Sequence, residues 1–251
     1  MKKNGDREAE AMSFAIEPWR LTLDHASDDA QVDALLSYAV RRVSSVYWTP
    51  VRVARRAARL FEELGVSRVL DVGSGPGKFC VVAGLHAPRL QLVGVEHRPH
   101  LVAAARALAT SVRATNVTFV HGDATGLPRE GFDGFYVFNS FAENSFSSDD
   151  QFDQTVELSR VRRVDDVMRM ERGLAAQDEG TVLLTYHGLG GPIPGSYEPV
   201  HVEIAGSGWL RAWQKGSFAS SKYWLEDGPD VRLTTIEEVV RHILPDPDES
   251  R

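Results

Sequence analysis

The sequence predicts an α/β protein built around a mostly parallel β-sheet. An apolar run ending at Val72 leads into a glycine-rich turn, and an apolar helix over 79–85 follows, which is the first half of a βαβ unit. Two further strands come next, each preceded by a helical segment. Two alternating segments, 197–204 and 209–213, are joined by Gly-Ser-Gly and predict an antiparallel hairpin that completes the sheet.

The glycine-rich turn lies within residues 69–80, which read Val-Leu-Asp-Val-Gly-Ser-Gly-Pro-Gly-Lys-Phe-Cys. Gly73, Gly75 and Gly77 form a G-x-G-x-G pattern, and glycine lets the backbone approach a ligand closely. Lys78 stands where a dinucleotide fingerprint has its third glycine, and no G-K-[ST] follows, which excludes a P-loop. The free N–H groups of the following helix favour an anionic ligand.

Three consecutive strands each end beside an acidic residue. Asp71 precedes the glycine turn, Glu96 ends the strand at 90–96, and Asp123 follows the strand at 117–120. Because ligands gather at the carboxyl ends of parallel strands, the three acids are expected around one ligand. A carboxylate at the position of Glu96 can accept hydrogen bonds from both hydroxyls of a ribose.

The stretch 70–77, Leu-Asp-Val-Gly-Ser-Gly-Pro-Gly, resembles the first motif of the class I S-adenosylmethionine-dependent methyltransferases. The resemblance covers about 45–216 and implies a Rossmann-like, seven-stranded, mostly parallel sheet with an antiparallel last strand, helices on both faces and an N-terminal helical extension. It implies S-adenosyl-L-methionine as cofactor and S-adenosyl-L-homocysteine as product. The cofactor-binding residues it implies are Asp71, Gly73, Ser74, Gly75, Gly77, Glu96, Asp123, Ala124 and Asn139, and an aromatic-x-Pro segment similar to that of some lysine methyltransferases adds Tyr47 and Thr49.

The fourth predicted strand, 132–138, runs into an Asn-Ser-Phe-Ala-Glu-Asn segment at 139–144. In the resembled family this strand end faces the methyl group and the acceptor. The segment lacks the Pro-Pro of amino-methylating members and is similar to the Asn-Asn-Phe-Ala of histone-lysine methyltransferases without a SET domain. Asn139 is expected to accept a hydrogen bond from an amine and to orient its lone pair toward the methyl group. Phe141 is expected to line the substrate channel, and Glu143 to take a proton or bind a cationic substrate. The structural alternatives are that Asn139 caps a helix, that Phe141 is a core side chain and that Glu143 is a solvated acid.

Helices are predicted on the N-terminal side of the glycine turn. One begins at Asp28 or Asp29 and runs to about Val43, following helical spacing. Another has Thr49 as its N-cap, Pro50 as its first residue and a stop at Gly65. Its Arg52, Arg55, Arg56 and Arg59 share one face, which is either solvated or a docking surface for RNA or an acidic protein.

The C-terminal half is predicted to alternate a helical stretch, a strand and a long loop. One long helix or two occupy 149–176, and a fifth strand follows at 181–186. The glycine- and proline-rich loop at 187–195 makes Tyr186 and His187 candidate substrate contacts. The tail, 217–251, is expected to hold one short helix capped by Thr235 and an acidic end.

Composition limits the class of protein. The 251 residues carry a net charge of −7, which disfavours broad nucleic-acid binding. The single cysteine, Cys80, excludes an internal disulfide framework. No stretch is apolar enough for a transmembrane helix, and no signal peptide is expected, so the predicted location is the cytoplasm. His97, Arg98 and His100 do not have metal spacing, and no metal site is predicted.

The function predicted from these features is methyl transfer by in-line displacement to a nucleophile, with a protein side-chain nitrogen or another amine favoured. A small-molecule O- or N-methyltransferase and a non-catalytic cofactor-binding protein are the alternatives, and a nicotinamide-dependent oxidoreductase is the least favoured. The expected partner is a protein or small-molecule acceptor; nucleic acid is less favoured, no membrane is expected, and the oligomeric state is open. The predicted divisions are an extension or lid at 1–45, the methyltransferase domain at 46–216 and a C-terminal extension at 217–251.

Overall fold

The computed structural model describes residues 28–125, 130–147 and 149–243. The predictions for the N-terminal residues before Asp28 and for the acidic tail after Ile243 fall outside the described residues. The strands are β1 (Arg68–Val72), β2 (Gln91–Glu96), β3 (Val117–His121), β4 (Gly134–Phe138), β5 (Val182–Tyr186), β6 (Ile193–Pro194), β7 (Tyr197–Ala205), β8 (Gly208–Lys215), β9 (Tyr223–Asp227) and β10 (Asp230–Thr234). The helices are α1 (Asp28–Asp33), α2 (Tyr38–Arg41), α3 (Ser44–Tyr47), α4 (Val51–Glu63), α5 (Lys78–His86), α6 (Pro99–Ser111), α7 (Arg160–Ala175) and α8 (Ile236–Ile243), with a 3₁₀-helix at Ala142–Ser145.

The main sheet has seven strands in the order β3-β2-β1-β4-β5-β8-β7. The first five are parallel, whereas β8 and β7 run antiparallel to their neighbours. This confirms the predicted fold class. The strand order reverses at β1, which pairs with both β2 and β4, and ligands bind outside the carboxyl ends of strands at such a switch point.

Helices cover both faces of this sheet. One core cluster joins α4, α5 and α6 to one face, with Phe61 and Leu101 among its fully buried side chains. A second cluster joins α7 to the other face through Val167, Met170 and Leu174. The central strands β1 and β5 are buried almost throughout, which explains why they read as continuous apolar runs rather than alternating ones.

The N-terminal helical region departs from the prediction. The expected single helix is broken into α1 and α2, and a further short helix, α3, follows it. The chain turns between α1 and α2 through a hydrogen bond from the Leu36 N–H to the Asp33 carbonyl. This turn lets Leu36 and Val40 both enter the core. It also leaves the Asp33 carboxylate to accept a hydrogen bond from Ser44 in α3.

The predicted start of α4 was wrong by one residue. Pro50, not Thr49, is the N-cap, and it has no side chain that can cap. The amide of Val51 instead donates to Oδ1 of Asp29 at 3.0 Å, so an acid from α1 satisfies this helix end. The predicted stop is confirmed, because α4 ends at Glu63 and Gly65 has a positive φ of 76°.

The C-terminal half contains less helix and more strand than predicted. Helix α7 begins only at Arg160, and residues 149–159 before it form no helix or strand. The hairpin β9–β10 was not predicted, and it pairs with β6 to form a second, three-stranded sheet. A buried ion pair joins the two sheets, since Arg211 of β8 lies 3.5 Å from the Glu226 carboxylate of β9.

Candidate active site

The carboxyl ends of β1, β2, β3 and β4 surround a cleft of about 160 Å³. Predicted site residues from each of the four strand ends line it together with Tyr47 from α3. The lining includes Tyr47, Gly73, Glu96, Asp123, Ala124, Asn139, Phe141 and Glu143. A smaller cavity of about 30 Å³ lies against the glycine turn and is lined by Thr49, Asp71 and Ser74. Four residues line both spaces: Tyr47, Trp48, Gly73 and Phe138.

Glu96 holds the cleft together at the end of β2. Its Oε2 accepts a hydrogen bond from the Gly75 amide at 3.0 Å, and its Oε1 accepts one from the Arg98 amide at 2.9 Å. Burial raises the pKa of this carboxyl, although the same amide hydrogen bonds oppose the increase. A carboxylate oxygen has two lone pairs, so each oxygen retains acceptor capacity for a ligand hydroxyl.

Asp71 is buried beneath the glycine turn. The Cys80 thiol donates a hydrogen bond to its Oδ2 at 3.3 Å. Burial raises the pKa of Asp71 to about 7, and the nearby charge of Glu96 acts in the same direction. In the same small cavity the buried Ser74 hydroxyl has no hydrogen-bond partner among the described residues. A buried hydroxyl without a partner is costly, which suits a site that receives a polar ligand group.

Each of the three glycines of the turn is explained by a different structural contact. A Cβ on Gly75 would lie 2.5 Å from the Trp48 ring, because that ring covers the turn. A Cβ on Gly77 would lie 2.5 Å from Phe119, so this glycine serves packing of α5 rather than the cleft. Gly73 contacts Ser140, whose hydroxyl donates to the Val72 carbonyl and ties β4 to β1.

Asp123 and Ala124 line the end of the cleft beyond β3. Asp123 accepts hydrogen bonds from the amide and hydroxyl of Thr125 at 2.9 and 2.6 Å. Burial alone would raise its pKa, but these hydrogen bonds and the charges of Arg162 and Arg169 lower the pKa of Asp123 below its ordinary value. The carboxylate is therefore ionised and partly oriented at neutral pH.

Asn139 occupies a strained position where β4 ends. Its φ is 42°, the left-handed region that few residues other than glycine and asparagine adopt. Its side-chain oxygen lies next to Gly190 in the loop after β5. Phe141 is 5% exposed and packs in the core cluster beneath the cleft, which it also lines. The structure thus brings both residues to the cleft wall.

Glu143 also reaches the cleft wall, but its carboxylate is already engaged. Arg98 donates to Oε1 at 2.9 Å and to Oε2 at 3.1 Å, and the Phe152 amide donates to Oε1 at 2.7 Å. Proton transfer by Glu143 therefore requires this ion pair to open. Its catalytic role stays a prediction, as do those of Asn139 and Phe141.

Tyr47 and Thr49, named only from the resemblance, both line the smaller cavity, and Tyr47 also lines the cleft. The Tyr47 hydroxyl donates to the Asp150 carbonyl at 2.8 Å, and its ring contacts Phe146. The Thr49 hydroxyl lies 3.0 Å from that of Tyr136, a buried residue of β4. These contacts join the N-terminal segment to two walls of the cleft.

Tyr186 and His187 lie at the end of β5, outside the lining of the main cleft. Tyr186 is buried, and its ring contacts His187 at 4.4 Å between centroids. Phe138, which does line the cleft, contacts both rings. The Glu226 carboxylate accepts from the Leu189 amide at 2.8 Å and holds the loop that follows.

The cleft residues that sequence reasoning missed include Trp48, Arg98, Arg162 and Asp166. The sequence suggests no metal-binding role for Arg98, and its partners lie 45 and 55 positions away along the chain. No local pattern marks such a pairing. For Arg162 and Asp166 the i,i+4 spacing was a visible signal, and they lie 3.2 Å apart.

Within the described ranges, no group of three or more His, Cys, Asp or Glu side chains is arranged to hold a metal ion. None of the helices that the structure describes is long and apolar enough to cross a membrane.

Comparison with known proteins gives the class. Residues 69–164 match the methyltransferase domain family. A demethylmenaquinone methyltransferase from Thermus thermophilus is 35% identical over 78 residues, which are 31% of this chain and 35% of that protein, so the chain matches about a third of this relative's length. The structure of mitomycin 7-O-methyltransferase MmcR is 16% identical over 80% of this chain and 61% of its own, with a TM-score of 0.51. An RNA methyltransferase from Salinibacter ruber, solved with S-adenosyl-L-homocysteine, is 20% identical over 68% and 95% of the two chains, with a TM-score of 0.47.

The family match over residues 69–164 and the order of the sheet support a class I S-adenosylmethionine-dependent methyltransferase. The resemblance found in residues 70–77 is thereby confirmed. The match begins at Val69 and extends past the end of β4 into α7, so it spans all four strand ends that surround the cleft.

Proposed function

We propose that this chain is an enzyme that uses S-adenosyl-L-methionine to methylate an amine nitrogen, of a protein side chain or of another amine. The observation that supports the proposal most directly is the convergence of the glycine turn, Glu96, Asp123 and Asn139 on one cleft. Each comes from a different strand, and a shared ligand accounts for their position at one edge of the sheet.

The residues present fit the proposed cofactor. Glu96 retains an acceptor lone pair on each oxygen for the ribose hydroxyls, and Asp123 is oriented to accept from the adenine amino group. The unpartnered Ser74 hydroxyl and the buried Asp71 are available to the methionine end in the smaller cavity. When bound, S-adenosyl-L-methionine supplies an electrophilic methyl group on a sulfonium.

The chain's own residues then have to align the acceptor and exclude water, because methyl displacement needs little other help. The Asn139 side-chain oxygen accepts a hydrogen bond from the amine and directs its lone pair. Phe141 and Phe138 form an apolar part of the cleft wall, and the Tyr47 and Trp48 rings line the cleft next to the glycine turn. In this proposal Glu143 shapes the wall through Arg98 and takes a proton only if the ion pair opens.

A small-molecule acceptor is the second candidate. It is favoured by the similarity to the demethylmenaquinone methyltransferase, whose name specifies a small-molecule substrate. RNA is less favoured, because three of the four arginines on α4 are engaged within the chain: Arg55 with Asp28, Arg56 with Glu203 and Arg59 with His86. We propose the cytoplasm as the location, in keeping with the single unpaired thiol of Cys80.

The experiment is a turnover assay that measures S-adenosyl-L-homocysteine formation, corrected for hydrolysis, on a panel of lysine peptides, amines and quinols. The informative variant is Asn139→Gly, since glycine keeps the left-handed backbone and removes only the side chain. We expect kcat at saturating cofactor to fall by about tenfold or more. Exposed Glu179→Ala is the control and should match the wild type.

Amines turned over while quinols are not would support the amine proposal, and the reverse would favour the small-molecule alternative. Cofactor binding without turnover on any panel member would favour the non-catalytic alternative. Equal kcat for wild type and Asn139→Gly would contradict the role given to Asn139.

A further inference from the structure

Arg98 lies at the junction between the end of β2 and the cleft wall. Its side chain is 5% exposed, and its guanidinium donates to both oxygens of Glu143 and, at 3.0 Å, to Oδ1 of Asp153. Its cationic group also stacks over the Phe152 ring, with 5.6 Å from Cζ to the ring centroid. The backbone amide of the same residue donates to Glu96.

The partners of this guanidinium all belong to one stretch, here called the wall segment, residues 142–147 and 149–155. Apart from the 3₁₀-helix, its described residues form no helix or strand. A stretch without a backbone hydrogen-bond ladder depends on side-chain contacts for its position. Ala142, Glu143, Asn144 and Phe146 of the wall segment line the cleft, so Arg98 determines where this part of the cleft wall lies.

Three carboxylates with different tasks thus meet at Arg98. Glu96, the proposed ribose acceptor, holds the backbone of Arg98, while Glu143 and Asp153 hold its side chain. We propose that Arg98 is a positioning residue that couples cofactor binding at Glu96 to ordering of the wall segment on the acceptor side. This inference rests on the proposed function, because it takes the ligand of Glu96 to be the cofactor.

The physical basis is the geometry of the guanidinium. Arginine presents five donors in a planar fork and can serve both oxygens of one carboxylate and one oxygen of another. Lysine keeps the charge but cannot reproduce this fork. A ligand that fixes Glu96 restricts the backbone of Arg98, and the fork transmits this restriction to Glu143 and Asp153. The wall segment is then ordered when the cofactor is bound at Glu96.

The test is hydrogen exchange of the wall segment, measured by mass spectrometry with and without S-adenosyl-L-homocysteine. In the wild type we expect the ligand to slow exchange there by about tenfold or more, equivalent to about 1.4 kcal/mol. In Arg98→Lys we expect ligand binding to persist and this slowing to be lost. A merely structural role would speed exchange equally in both states and leave the ligand-dependent difference intact.

Arg56→Lys is the matched control, because Arg56 donates to Glu203 and Glu63 away from the cleft, and it should keep the full ligand effect. Asp153→Asn supplies a second measurement, since Asp153 contacts Arg98 but does not line the cleft. We expect it to weaken S-adenosyl-L-homocysteine binding by about threefold or more.

The coupling is overturned if Arg98→Lys retains the ligand-dependent slowing, or if the wild type binds the ligand without any slowing. If Arg98→Lys does not bind the ligand, Asp153→Asn decides: an unchanged affinity overturns the proposal. Failure of the wild type to bind S-adenosyl-L-homocysteine would instead count against the proposed function.

Discussion

The amide nitrogen of Gly75 lies 3.0 Å from Oε2 of Glu96, so the glycine turn and the end of the second strand are joined by one hydrogen bond. This contact orients the carboxylate before any ligand binds. It also links two features that are 21 residues apart and that methyltransferase-like sequences use for one cofactor.

Gly75→Ala should destabilise the protein through a steric clash as well as through backbone strain. The new Cβ would lie 2.5 Å from the Trp48 ring, and φ is 53°. Gly228→Ala is the matched control, because its φ is 55° and no atom lies within 4 Å of the new Cβ. Backbone strain costs about 1 to 3 kcal/mol in each variant. We expect urea unfolding to show a loss about 1 kcal/mol or more greater for Gly75→Ala. Equal losses would show that Trp48 does not restrict this position.

Asp71 should make stability fall as the pH rises. Its folded pKa is about 7, whereas an unfolded aspartate titrates near 4, so between these values the folded state holds a proton that the unfolded state has lost. The free energy of unfolding contributed by this group therefore decreases from about pH 4 to about pH 7, by at most about 1.4 kcal/mol per pH unit. Asp71→Asn cannot titrate, so the stability of the variant relative to the wild type should increase over this range in urea denaturation. A constant difference from pH 4 to pH 8 would contradict the raised pKa.

Lys78 should anchor the N-terminal segment over the glycine turn. Its side chain is 2% exposed, and Nζ lies 2.7 Å from Asp29 and 2.8 Å from Asp33. Breaking a buried pair from one side costs about 3 to 5 kcal/mol. A double-mutant cycle of Lys78→Met with Asp33→Asn, followed by chemical denaturation, should give a coupling energy of about 1 kcal/mol or more.

A control cycle on Arg232 and Glu238, whose exposed side chains lie 3.9 Å apart, should give a coupling energy near zero. Additive effects at Lys78 and Asp33 would mean that the ion pair does not hold α1 in place.

Much of the fold and of the cofactor side was predictable, because its signals are local. A glycine turn after a buried strand and an acid at each of three strand ends need no long-range information. Glu96 and Asp123 line the cleft, whereas Asp71 lines the smaller cavity beside the glycine turn. The antiparallel last strands followed from the Gly-Ser-Gly between two alternating segments, which the structure shows as β7 and β8.

The remainder depends on contacts between distant residues. The N-terminal helix breaks where Asp33 turns toward Ser44, and Asp29 caps α4 in place of Thr49. The hairpin β9–β10 is held by the buried Glu226, whose partners lie on other strands and loops. Nothing local to Arg98 or Trp48 indicates that each completes the cleft.

The most direct test of the central claim is isothermal titration of the protein with S-adenosyl-L-methionine, S-adenosyl-L-homocysteine and NADH, on the wild type, on Glu96→Ala and on the exposed control Glu179→Ala. The account predicts that wild type and control bind both sulfur nucleotides and not NADH. It predicts that Glu96→Ala loses about tenfold or more in affinity, which is about 1.4 kcal/mol. If neither sulfur nucleotide binds, or if Glu96→Ala binds as tightly as the wild type, the cleft is not the cofactor site described.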